Sequence, residues 1–155
     1  MRDYLFRGKR VDNGEWVSSR SLLTVLQDNN YLYFIPQQGE DFKANPSIDN
    51  DRILSALFGN FYQVDPKTIG QYTGLNDKRG KKIFEGDIVD RWYHNLETFK
   101  GKKEVKMSKV NDSDGWNAQH TLGWCAGDSS LLDVSSDCEI IGNIHDNPEL
   151  LEVKL

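Results

Sequence analysis

Residues that carry chemistry are scarce in this chain of 155 residues, which holds two cysteines and three histidines. Cys125 and Cys138 stand apart in the sequence rather than as a Cys-x-x-Cys pair, and no ligand-spaced histidine accompanies them. His94, His120 and His145 are scattered, with no His-x-x-x-His spacing. A structural zinc site takes four Cys or His ligands at short paired spacings, so no metal site is expected; two reduced, buried thiols are. No apolar run approaches the roughly 18 residues a membrane-crossing helix needs, so no membrane partner is expected. Met1-Arg2-Asp3-Tyr4 lacks the apolar core of a secretory signal and reads as the start of a folded cytoplasmic protein. The phosphate-cradling patterns Gly-x-x-x-x-Gly-Lys-Ser/Thr and Gly-x-Gly-x-x-Gly are missing. So is the Gly-x-Ser-x-Gly of an esterase-type nucleophile. No nucleotide cofactor and no catalytic residue is therefore assigned.

What the chain does have is rings and unevenly placed charge. Phe, Tyr and Trp make up 11% of it, which supplies a core from few residues and excludes global disorder. The length fits one domain over 1–155, with an N-terminal β subdomain over 1–65 and a barrel subdomain over 66–155. The formal net charge is −5. It divides into −2 over residues 1–77, +5 over 78–109 and −8 over 110–155. The basic block (Lys78, Arg79, Lys81, Lys82, Arg91, Lys100, Lys102, Lys103, Lys106, Lys109) either pairs with the acidic last third, in this chain or a neighbouring copy, or meets an anionic partner.

Punctuation is dense and the runs between are short. Residues 4–18 read as a β-hairpin turned at Asn13-Gly14, a dipeptide suited to positive φ. Leu22–Gln27 and Tyr31–Ile35 form a second pair of strands around Asp28-Asn29-Asn30, ended by Pro36. A helix is expected over 51–58 and a turn at Asp65-Pro66. Further strands fall at Thr68–Thr73, Lys81–Glu85, Ile88–His94, Lys102–Val110, Trp116–Trp124 and Cys138–His145. Gly127-Asp128-Ser129-Ser130 reads as a loop, and Asn147-Pro148-Glu149 opens a last short helix. About ten strands and two short helices predict a mainly β protein, a small barrel or packed antiparallel sheets.

Residues 70–89, GQYTGLNDKRGKKIFEGDIV, alternate strand and turn. Gly80 and Gly86 free the backbone there, while Ile83, Ile88 and Val89 pack inward. Glu85 and Asp87 are the one carboxylate pair that a metal-dependent enzyme could use, since i and i+2 share a face on a strand; no third ligand stands near them. Ser129 with His120 as base has no supporting pattern, and His145 reads as a polar contact at a strand end. Trp92, Tyr93, Trp116 and Trp124 lie near the basic block, where rings beside cations can stack bases, although core or subunit interface is the commoner use of Trp. For a nucleic-acid interface the candidate residues are Lys78, Arg79, Lys81, Lys82, Arg91 and Trp92.

QYTGL at 71–75, DKRGKKIFEGDIV at 77–89, IGNIHDNPELL at 141–151 and FRGKRVDNGEWV at 6–17 together resemble the YopX family of small phage and prophage proteins. Residues 18–63 and 92–137 carry little of the likeness. The resemblance implies a mainly β fold with an SH3-like barrel around the Gly-Asp-Ile-Val turn, and it brings no catalytic residues to carry over. The expectation is a non-enzymatic phage accessory protein in the bacterial cytoplasm that self-associates into a homo-oligomer and binds an unidentified phage or host protein. Nucleic-acid binding through 78–109 is the alternative, and a metal-dependent enzyme a third.

Overall fold

The computed structural model describes residues 4–36, 61–91, 101–110, 121–127 and 129–152. The chain folds as two compact units, Met1–Gln71 and Tyr72–Leu155. The fold is mainly β with every strand pair antiparallel, and one sheet is curled into a half-barrel.

In the first unit β1 (Phe6–Lys9) and β2 (Trp16–Ser19) form the expected hairpin, with Lys9 opposite Trp16. The turn is longer than a two-residue Asn-Gly turn. Gly14 N–H donates to the Arg10 carbonyl at 2.9 Å, and Arg10 N–H donates to the Glu15 carbonyl at 2.9 Å. Asn13 spends its side chain locally, accepting from Glu15 N–H at 2.9 Å, so Gly14 alone takes the left-handed step. β3 (Leu23–Gln27) and β4 (Asn30–Pro36) pair so that Gln27 faces Asn30. The two residues between, Asp28 and Asn29, have φ of 49° and 64°. Two consecutive positive φ values match the right-handed twist of the flanking strands. β5 (Phe61–Val64) joins the far edge of β4. Phe34, Ile35, Phe61 and Val64 are buried, and Leu23, Val25 and Leu32 lean on the two phenylalanines. Asp65 then caps a 3-10 turn over Pro66–Thr68 by accepting from Lys67 N–H at 2.9 Å. This is the expected Asp-Pro turn.

β6 (Gly70–Asn76) runs through the boundary: Gly70 and Gln71 pair with β1, and Tyr72 onward pairs with β7 (Lys82–Phe84). The second unit continues with β8 (Asp87–Arg91), β9 (Lys102–Val110), β10 (Thr121–Ala126), β11 (Ser129–Ser130), a single α-turn α1 (Leu131–Val134) and β12 (Cys138–Asn143). Its five-stranded sheet has the order β11-β10-β9-β8-β12. Ile83, Val89, Val105, Ala126, Leu131, Val134 and Cys138 form the core, with Leu75, Trp124 and Ile140 packed against it. Each large aliphatic side chain taken fully out of water there contributes roughly 1.5–3 kcal/mol. Both cysteines are free and buried, and burial pushes the Cys125 thiol up from its ordinary pKa.

Several expectations change in detail. The strand expected over Thr68–Thr73 begins only at Gly70, because Thr68 closes the 3-10 turn. Ser129-Ser130 is a short strand rather than loop, and α1 follows it because Leu131 and Val134, three apart, both reach the core. The last helix is a 3-10 turn over Pro148–Leu151, and Asn147 makes no side-chain cap. The helix expected over 51–58 lies outside the described residues, as does the strand expected from Trp116 up to residue 120.

Candidate binding surfaces

The turn after β6 is organised by Asp77, which is 5% exposed. Its Oδ1 accepts from Arg79 N–H and Lys81 N–H, both at 2.9 Å, and its Oδ2 accepts from Ile140 N–H at 3.1 Å. Burial pushes this carboxyl up, but the backbone donors together outweigh it and hold the pKa below the ordinary carboxylate value. The turn is thereby fastened to β12. Lys78 N–H adds a bond to the Cys138 carbonyl at 3.0 Å. The Lys78 ammonium and the Arg79 guanidinium both reach Glu139, at 2.9 and 2.7 Å.

The six proposed nucleic-acid residues therefore have different surroundings. Lys78 and Arg79 share Glu139. Lys82 Nζ lies 4.5 Å from the centroid of the Tyr72 ring. Lys81 is exposed beside the Asp77 carboxylate. Arg91 sits on β8 opposite Cys138, with its side chain outside the described set, and Trp92 lies outside it altogether. The structure gathers the described four on and next to one turn.

Glu85 and Asp87 are not two positions on one strand; a turn falls between β7 and β8 there. Gly86, at φ 81°, makes the turn, donating to the Val105 carbonyl at 2.8 Å and accepting from Ile144 N–H at 2.9 Å. Asp87 is 2% exposed, and its Oδ2 accepts from Phe84 N–H at 2.8 Å. That carboxylate is used inside its own turn. Among the described residues no three His, Cys, Asp or Glu side chains gather as a metal site.

The first unit has an open cleft of about 430 Å³ lined by Lys9, Arg10, Val11, Gly14, Asp65, Pro66 and Thr68. Its polar groups are mostly engaged. Thr68 Oγ1 accepts from Lys9 N–H at 2.8 Å and donates to the Asp65 carbonyl at 2.7 Å. The Arg10 guanidinium stacks 4.0 Å from the Tyr62 centroid and donates to Asp12, whose carboxyl that bond holds below its ordinary pKa. Arg7 and Lys9 stand over the Trp16 ring, at 4.7 and 5.8 Å from its centroid.

A further surface lies on β9 and β10. Only Lys102–Glu104 of β9 pair with β8, and only Cys125–Ala126 of β10 pair with β11. Beyond these, residues 107–110 and 121–124 pair with each other alone among the described residues. They form a two-stranded ribbon running out from the sheet. Val105 and Ala126, facing each other, are buried at its root. Farther out on the same face come the pairs Met107–Trp124 and Lys109–Leu122. Met107 is 47% and Leu122 75% exposed. Lys106 and Ser108 alternate onto the other face. A lone pair of strands is marginal in water, so exposed apolar side chains on one point to a partner. The alternation of β9 is legible in the sequence; that its neighbours stop halfway along it is not.

No helix among the described residues is long and apolar enough to cross a membrane. The class defined so far is a small antiparallel β protein in which Asp65, Asp77 and Asp87 serve the backbone and both thiols are buried. The model of the YopX protein family matches residues 5–152, and the chain belongs to that family. No curated protein matches it. The crystal structure of protein EF1440 from Enterococcus faecalis is similar, at 24% identity over 96% of this chain and 98% of that one, with a TM-score of 0.47.

Proposed function

We propose that this chain is a non-catalytic accessory module of a phage or prophage, working in the bacterial cytoplasm by binding and by self-association. The observation that carries this reading is the β9–β10 ribbon, which exposes Met107 and Leu122 on strands that lack further neighbours among the described residues. Light scattering coupled to size exclusion tests it. The expected result is a mass above that of the monomer, rising with concentration. A strict monomer at high concentration removes self-association.

The exposed lysines favour a second reading, nucleic-acid binding. Lys81, Lys102, Lys106 and Lys109 are all exposed. Phosphate contacts release counterions, so three such contacts predict an affinity for oligonucleotides that falls about 40-fold between 50 and 200 mM salt. Lys81→Glu with Lys82→Glu is expected to weaken it further. Titration of labelled single- and double-stranded oligonucleotides checks both. No salt-sensitive binding at low ionic strength ends this reading.

A further inference from the structure

We propose that copies of this chain join head to tail, the outer end of the β9–β10 ribbon of one copy seating on the acidic face around α1 of the next. This rests on the self-association proposed above and assigns it two surfaces.

The two surfaces have opposite charge that is little used within the chain. β9 carries Lys102, Lys103, Lys106 and Lys109 against the single acid Glu104 and β10 is uncharged; the residues joining them, 111–120, add Asp112 and Asp114, which leaves 102–126 net basic by one. Lys106 Nζ lies 4.0 Å from Glu104, with both side chains substantially exposed, which is a weak pair. Lys102 and Lys109 make no ion pair among the described residues. Residues 129–152 contain six acids and no lysine or arginine. Of these, Glu139 is taken by Lys78 and Arg79, and Asp146 accepts from Asn143 Nδ2 at 2.8 Å. Asp133 and Asp137 are exposed and have neither ion pair nor hydrogen-bonded partner for their carboxylates among the described residues. Leu132, next to Asp133 and 72% exposed, gives the acidic face an apolar centre. Met107 and Leu122 give the ribbon one too. Lys109 shares the face of Met107 and Leu122, so that face matches the acidic one in both respects.

The ribbon's own α1 is poorly placed to receive its outer end. α1 follows β11, which pairs with Cys125 and Ala126 at the ribbon's root. Lys109 lies four residues farther out along β9 than Val105, roughly 13 Å at strand rise. Two ribbons meeting edge to edge along β9 would bring Lys106 and Lys109 against the same residues of the other copy, and lysines on an edge oppose such pairing. The charge pattern therefore selects contact between unlike surfaces. Such a contact made once leaves one ribbon and one acidic face open, so the series grows past a dimer unless it closes, either by two copies making the contact reciprocally about a two-fold axis or as a larger ring.

The test uses two variants of the full chain, Met107→Glu with Lys109→Glu on the one ribbon face and Asp133→Lys with Asp137→Lys. Each alone is expected to remain monomeric in light scattering at concentrations where wild type assembles, a weakening of tenfold or more. Mixed in equal amounts, they restore unlike surfaces and are expected to assemble, which misfolded variants would not do. Wild-type assembly is expected to weaken as salt rises. If both variants assemble as wild type does, these surfaces are wrong while self-association stands. Two variants that stay monomeric when mixed overturn the pairing. A wild type that is monomeric throughout overturns self-association and this inference together, and binding of that monomer to oligonucleotides through Lys106 and Lys109 would give the ribbon to nucleic acid instead.

Discussion

Asp77→Ala is expected to lower the stability of the second unit by about 3–5 kcal/mol, because it strands three backbone donors that have one acceptor group between them. Arg79 N–H, Lys81 N–H and Ile140 N–H all end on this carboxylate, and Asp77 is buried. Water can re-solvate the two donors within the turn more readily than the one on β12. Asp77→Asn is the sharper variant. An amide can keep one oxygen on Arg79 and Lys81, but its NH₂ then faces the Ile140 donor, so a loss of about 2 kcal/mol is expected. The same carboxyl carries a pH dependence. Its folded pKa lies below the ordinary value of 3.8, so the unfolded chain binds its proton first as pH falls. The stabilisation is complete above that value and is lost as pH falls through it toward the folded one. Urea unfolding of wild type and Asp77→Asn at pH 7 and pH 3 is expected to show the gap between them closing at the lower pH. A gap that stays constant would mean that the charge on Asp77 contributes nothing.

The sequence shows Asp77 as a turn former and nothing more, and that difference is instructive. Local chemistry was legible: Asp65-Pro66 caps its turn, Asp28 and Asn29 take the positive φ values, and the alternation at 102–110 is β9. Those features depend on residues within a few positions of one another. The bond from Ile140 N–H to Asp77 spans 63 positions, and Glu139 reaches Lys78 and Arg79 over a similar separation. Nothing in the string DKRG announces such partners. The same limit applies to the candidate surface. Lys78 and Arg79 stood out by clustering, yet Glu139 offsets them. Met107 and Leu122 looked like ordinary strand residues, and become a surface only because β8 and β11 end before reaching them. Asp87 shows the reverse: a residue that composition could place in a metal pair is turned inward beside its own two-residue turn.

Gly8→Val is expected to destabilise the first unit by about 3 kcal/mol, at a position where the sequence shows only a glycine in a strand. Its φ is not positive, so the constraint is space rather than backbone conformation. A Cβ at position 8 would stand 2.9 Å from Val64 Cβ and 3.1–3.2 Å from both its γ carbons. Val64 is 1% exposed and cannot swing into solvent. Nor can the strands separate freely, because Val11 N–H donates to the Gln63 carbonyl at 3.0 Å and Asp65 N–H donates to the Lys9 carbonyl at 2.9 Å. Overpacking of this kind typically costs about 1–3 kcal/mol, with Ala at the low end and a β-branched side chain at the high end. Val64→Ala alone is expected to cost about 2 kcal/mol through the cavity it leaves. If the two sites share one space, Gly8→Ala combined with Val64→Ala should lose less than the sum of the single losses by about 1 kcal/mol, since the new methyl fills part of the cavity. Denaturant titrations of the four proteins close this cycle. Strict additivity would show that Gly8 is there for the hairpin alone; coupling would show that β1 lies close over β5 because position 8 has no side chain.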